Sequence, residues 1–229
     1  IRWTRLWNQK LKRPDLIASI QPFLPDLIQL MNQQKDYEVL LHVLPFLQDL
    51  GLPDAVRKMC LQLGLRAAAS VPVKSDLTRI AKSLIIDYHD IDAWEVLMHE
   101  NHEQAKKIII VLGTDYRAGE DESLDLLLLH GYMRLNLHED LLKRLVQLGD
   151  ANLMMEYDHL LTRDYPQELA RFYSDHIRSI KEMYGGTIAR QKLNNIFSHL
   201  KAANLLPAVT ENLKKIKTRQ LLFLTRTNH

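Results

Sequence analysis

The sequence predicts an all-α protein, an αα-hairpin repeat of the tetratricopeptide or HEAT kind: an α-solenoid wound as a right-handed superhelical stack. Three observations predict it. Residues 37–64 recur as residues 122–149 at an offset of 85, placing Leu50-Gly51-Leu52-Pro53-Asp54 on Leu135-Asn136-Leu137-His138-Glu139 and Gln62-Leu63-Gly64 on Gln147-Leu148-Gly149. A third copy of the seam is written as Ala203-Asn204-Leu205-Leu206-Pro207. Apolar residues between the seams recur at helical rather than alternating spacing.

Each seam has a physical reading. Gly51, Asn136 and Asn204 follow apolar helical runs, where a helix ends most easily in a left-handed residue, and Gly then Asn tolerate that conformation best. The leucine that follows covers the last turn. Pro53 and Pro207 suit the first turn of the next helix, where a missing N–H costs nothing. Asp54 and Glu139 put negative charge at that helix's positive end. An offset of 85 is about twice the roughly 34–47 residues of common helical-hairpin repeats, so a further hairpin, without this signature, is expected around residues 76–112.

Composition agrees. Apolar residues make up 46% of the 229, enough for a continuous core, and only 8 Gly and 8 Pro leave little chain for long loops. A single cysteine, Cys60, excludes an internal disulfide and any multi-cysteine zinc site, and its place among Val56, Met59 and Leu63 makes it a core residue. No apolar run approaches the ~18–20 residues of a membrane span, so no membrane partner is expected, and a cytoplasmic location is. The chain reads as a single helical-repeat domain over 1–229, with sub-blocks 1–113 and 122–229. Trp3, Leu6, Trp7 and Leu11 follow helical spacing without a cap before them, as in a helix entered midway. The chain is therefore expected to be part of a longer protein, with Trp3 or Trp7 covered by a neighbour.

Taken in order, Pro14, Pro22 and Pro25 break the apolar stretch 16–31 into short helices. A helix over 36–50, kinked at Pro45, pairs with one over 53–63. Residues 65–75 have no clear period and read as a connector, with Ser75 capping a helix to Asp87. Helices over 91–99 and 102–112 follow, split at Asn101 and stopped at Gly113, before a loop at 114–121. Helix 122–135 is apolar nearly all round, as in an inner, doubly covered helix, although His130-Gly131 is an unusual pair for a helix interior. Helices over 138–148 and 151–162 come next. Helix 165–184 starts with Pro166 and carries Leu169, Phe172, Tyr173, His176, Ile177, Ile180 and Met183 on one stripe, which makes His176 a core histidine. Gly185-Gly186 end it, Thr187 caps helix 188–203, and helices over 206–216 and 219–225 finish the chain.

Catalytic and cofactor chemistry finds no footing, so the chain reads as a non-enzyme with no cofactor or metal. His99-Glu100-Asn101-His102-Glu103 sets its histidines at i and i+3 across a helix break, where a zinc-peptidase helix needs i and i+4. Glu156-Tyr157-Asp158-His159 has the Glu-x-x-His spacing of di-iron bundles but lacks a patterned second helix. Tyr184-Gly185-Gly186-Thr187 lacks the lysine and preceding strand of a phosphate loop, and a helix end followed by a cap explains it.

Charge is unevenly spread. Residues 1–13 hold five Lys/Arg and no acid, residues 187–229 carry a net +7, and the middle is correspondingly acidic within a whole-chain net of +2. Arg190, Lys214, Lys215, Lys217 and Arg219 form the candidate surface for an acidic partner.

Asp164-Tyr165-Pro166-Gln167-Glu168-Leu169, the run from Ala189 to Lys201, and Lys217-Thr218-Arg219-Gln220-Leu221-Leu222 resemble the helical C-terminal region of bacterial SWIM zinc-finger proteins. The likeness covers about 60 residues. With one cysteine here, the family's Cys-x-Cys and Cys-x-His finger has no counterpart, and no ligand position carries over. The resemblance implies an accessory region of a larger bacterial protein associated with DNA or with other proteins. The functional expectation is a helical-repeat scaffold that binds protein partners, the alternative being a nucleic-acid-associated region acting through the basic C-terminal hairpin.

Overall fold

The computed structural model describes residues 21–23, 26, 30, 54–70, 74–184 and 186–215. The expected helix 36–50 with its Pro45 kink, the Gly51 seam, the setting of Trp3 and Trp7, and the terminal helix 219–225 lie outside them. Among the described residues all regular structure is helical, with no strand. A short 3₁₀ turn, Gln21–Phe23, contains Pro22. No helix among the described residues is long and apolar enough to cross a membrane. The chain divides into two compact units, residues 1–117 with 121–131, and residues 118–120 with 132–229.

In the first unit, α1 (Asp54–Ser70), α2 (Lys74–Tyr88), α3 (Ile91–Glu100) and α4 (His102–Asp115) each pack against the next, and α5 (Glu122–Arg134) belongs to this unit as far as Gly131. The core is built from Leu61, Ile80, Leu84, Ile85, Trp94, Leu97 and Ile109, with the Trp94 indole N–H donating to the Ala105 carbonyl at 3.2 Å. Cys60 is buried among them, and burial pushes its thiol pKa up to about 11, as expected of an inert core cysteine.

Three boundaries differ from expectation. The supposed connector after residue 64 continues α1 to Ser70, because Ala67 and Ala68 are good helix formers and are themselves buried. Helix α2 begins at Lys74, so Ser75 lies inside its first turn and is not a cap. Gly113 does not stop α4: the Thr114 hydroxyl bonds back to the Ile110 carbonyl at 2.8 Å, and helical bonding persists until Tyr116 N–H donates to Leu112. The break at Asn101 is present, and its side chain accepts from Gln104 N–H to cap α4.

The seam without a recognisable signature is His89-Asp90. His89 has φ +51, and Asp90 caps α3 by accepting from Ala93 N–H. In α5, Leu124 and Leu127–Leu129 are buried while Leu126 is exposed, so the helix is covered less completely than its composition implies. The odd pair within it has a packing role. A Cβ on Gly131 would stand 2.7 Å from Cδ1 of Ile109, so any larger residue there would have to push the Ile109 side chain aside. His130 pairs with Glu95 and meets Trp94 edge-on, ring centroids 5.7 Å apart.

The second unit consists of α6 (His138–Leu148), α7 (Ala151–Leu161), α8 (Pro166–Met183), α9 (Gly186–Ala202) and α10 (206–215), with α6 through α9 packed in succession. Two predicted seams stand at its turns. Asn136 has φ +55, Leu137 N–H donates to the Tyr132 carbonyl at 2.9 Å and Asn136 N–H to Met133 at 3.1 Å. Asn204 repeats the arrangement with φ +58, Leu205 N–H donating to Leu200 and Asn204 N–H to Lys201. This six-to-one and five-to-two pairing is the Schellman motif. Pro166 occupies the first turn of α8, as its missing N–H allows. Helix α9 begins at Gly186, two residues earlier than a Thr187 cap would permit.

The left-handed seams carry a measurable cost for the wrong residue. Asn136→Ala and Asn204→Ala should each lower stability by about 1 kcal/mol, the penalty of a Cβ residue in this conformation, whereas Asn136→Gly should hold or raise it. Urea unfolding followed by circular dichroism measures both.

Candidate interaction groove

The concave features of the second unit meet at one residue pair. Helix α6 lines one side of a cavity of about 680 Å³ with Leu142, Lys143, Val146 and Gln147, and α8 lines the other with Glu168, Arg171, Phe172, Asp175, His176 and Ser179. A second cavity of about 600 Å³ is lined by Asp150, Asn152 and Met155 near the start of α7, by His176, Ile180 and Met183 on α8, and by Lys192, Asn195 and Ile196 on α9. Gly149 and His176 line both.

The local sequence builds these walls. Gly149, at φ +68, ends α6 in the left-handed conformation and lines both cavities. Asp150 then caps α7, its carboxylate accepting from Asn152 and Leu153 N–H. The α8 stripe buries Leu169, Tyr173, Ile177 and Ile180 and leaves Phe172 and His176 half-buried one turn apart. Their rings are stacked, with centroids 6.2 Å apart and planes within 8°. The core role expected for His176 is therefore corrected: it sits at the edge of that stripe and faces the cavities.

Electrostatically the groove is mixed. Lys143 is held by Glu139 at 2.7 Å and Asp175 by Arg178 at 3.1 Å, each within one helix. Arg171 and Lys192 have no acidic partner among the described residues. Burial lowers the pKa of His176, opposed by Asp150 and reinforced by Lys192. Lys192 also lies over the Tyr184 ring, 5.2 Å from its centroid.

Behind the groove is a buried polar contact that sequence reasoning missed. Asp158 on α7 is 1% exposed, and its Oδ2 accepts from the Tyr173 hydroxyl on α8 at 2.6 Å and lies 2.7 Å from Nε2 of His199 on α9. Burial, then the bond to Asp158, raises the Tyr173 pKa. In sequence Asp158 stands close to the exposed Glu156 and His159, and nothing there marks it as buried.

The candidate acidic-partner surface is partly described. Arg190 is exposed on α9, and Lys214 and Lys215 are exposed at the end of α10, where Glu211 holds Lys215 at 2.6 Å. Lys217 and Arg219 lie outside the described residues. His99 and His102 are exposed beside Glu100 and Glu103, their own chain neighbours, at 3.5 and 3.6 Å. Glu156 and His159 are exposed, and among the described residues no three metal-ligating side chains gather. No protein-family model, curated protein or solved structure matches this chain.

The histidine between the cavities has a pH signature. Because its folded pKa is lowered from 6.5, the unfolded chain takes up the proton first, so stability is retained above that value and falls as pH drops through it. His176→Gln should flatten the stability profile between neutral and mildly acidic pH, which thermal unfolding across that range would show.

Proposed function

We propose that this chain is a non-enzymatic helical-repeat scaffold that binds segments of other proteins. The observation that carries the reading is the α6–α8 groove, with Leu142, Val146 and Phe172 as its apolar surface and charged residues along its edges. Val146 stands 47% exposed there, an apolar side chain in a concavity rather than in the core. The recurrence of Schellman seams at Asn136 and Asn204 supports a repeat of the tetratricopeptide or HEAT type, whose helix pairs offer grooves of this kind. The resemblance of the last third to the helical region of SWIM zinc-finger proteins supports an accessory role beside other domains.

A photo-crosslinking residue at position 146 tests this in cells. Discrete protein adducts from position 146 are expected, absent from the exposed position 107 and lost when Phe172→Asp is added. Equal labelling from both positions, or none from 146, would remove the reading.

A second reading, binding of nucleic acid through Arg190, Lys214, Lys215, Lys217 and Arg219, is favoured by the absence of any acidic residue from 183 to 210. It requires binding to duplex DNA that weakens steeply with salt, because each phosphate contact releases counterions. Alanine at Arg190, Lys214 and Lys215 should then weaken that binding.

A further inference from the structure

The end of α8 and the start of α9 expose three large apolar residues within six positions: Met183 at 66%, Tyr184 at 39% and Ile188 at 59%. Met183 and Tyr184 line the 600 Å³ cavity, and Ile188 stands one helical turn before Lys192, on the same face of α9. Such a cluster next to a concavity marks a contact surface rather than scattered surface apolarity.

The charges around it specify the partner. Helix α9 contains Arg190, Lys192 and Lys201 and no Asp or Glu. The Lys192 ammonium is placed over the Tyr184 ring, at the margin of the apolar cluster, and no carboxylate among the described residues pairs with it. The adjoining cavity also holds the Asp150 carboxylate, taken up in capping α7, and the side chains of Asn152, Asn195 and His176, each able to bond a peptide backbone.

We propose that this face receives a polypeptide segment from another protein, seating one or two apolar side chains on Met183, Tyr184 and Ile188 and a carboxylate against Lys192. The proposal rests on the protein-binding reading above and names the chemistry of one partner. A nucleic acid fits this face less well, because phosphate recognition draws on several cations and this face presents Lys192 alone. An anionic membrane fits less well too: lipid attachment by charge takes clusters of roughly four to eight Lys/Arg, and this face presents one.

The test is selection of a phage-displayed random peptide library on the immobilised chain, followed by affinity measurements with the selected peptides as synthetic probes. The peptides should combine large apolar residues with Asp or Glu. Ile188→Ser should weaken them by at least about fivefold and Lys192→Glu by about tenfold, with each variant's helical circular dichroism unchanged. Peptides whose acid is changed to lysine should bind Lys192→Glu better than the parent chain. Failure to select any peptide, selection without acidic bias, or equal binding to parent and Lys192→Glu would overturn the proposal. So would binding of phosphatidylserine vesicles or duplex DNA that depends on Lys192 while peptide binding does not. Peptides sensitive to Val146→Asp but not to Ile188→Ser would overturn this proposal and leave the scaffold reading standing.

Discussion

The arrangement of the second unit depends on where a buried carboxyl group finds its partners. Asp158 has almost no contact with solvent, and a buried polar group without hydrogen bonds costs several kcal/mol. Tyr173 and His199 satisfy it from two other helices, so one oxygen atom ties α7, α8 and α9 together. Apolar packing of Leu169, Ala170 and Ile177 already opposes rotation of α8 about its axis. The short, directional bond from Tyr173 resists that rotation, and so sets where Phe172 and His176, its neighbours in sequence and on the helix surface, present themselves.

From that constraint the groove follows. With Tyr173 turned inward, Phe172 and His176 come to the α6 side of α8, where they line the cavity with Leu142 and Val146. Lys192 on α9 reaches the Tyr184 ring at the other end of the same helix, and Met183 is left uncovered there. A structural clamp and an open surface are thus neighbouring faces of one helix. The first unit uses a different device: Gly131 admits Ile109 by lacking a side chain, and a hydrogen bond from Trp94 to Ala105 secures α3 against α4.

Much of this was legible in the sequence because local rules decide it. Asn136 and Asn204 end helices in the left-handed conformation, Pro166 opens α8, and Asn101 separates α3 from α4, all from the intrinsic preferences of single residues. What was not legible depends on distant partners. His89 as a left-handed residue gives no strong local signal, since histidine, although enriched there among non-glycine residues, still adopts that conformation in a small minority of cases. The exposure of His176 could not be read from its stripe, because helical periodicity places a residue to within a turn and not to one side of a cavity. Asp158, Tyr173 and His199 are 15 and 41 residues apart from the first, and nothing in their own neighbourhoods announces the contact.

The most direct measurement is amide hydrogen exchange on the Tyr173→Phe variant. Removing one hydroxyl leaves Asp158 buried with a partner missing. The account predicts that amides of α7, α8 and α9 lose protection together while those of α1 to α4 keep theirs. Faster exchange confined to the turn of α8 around residue 173 would contradict it, because the three helices would then be held by apolar packing alone.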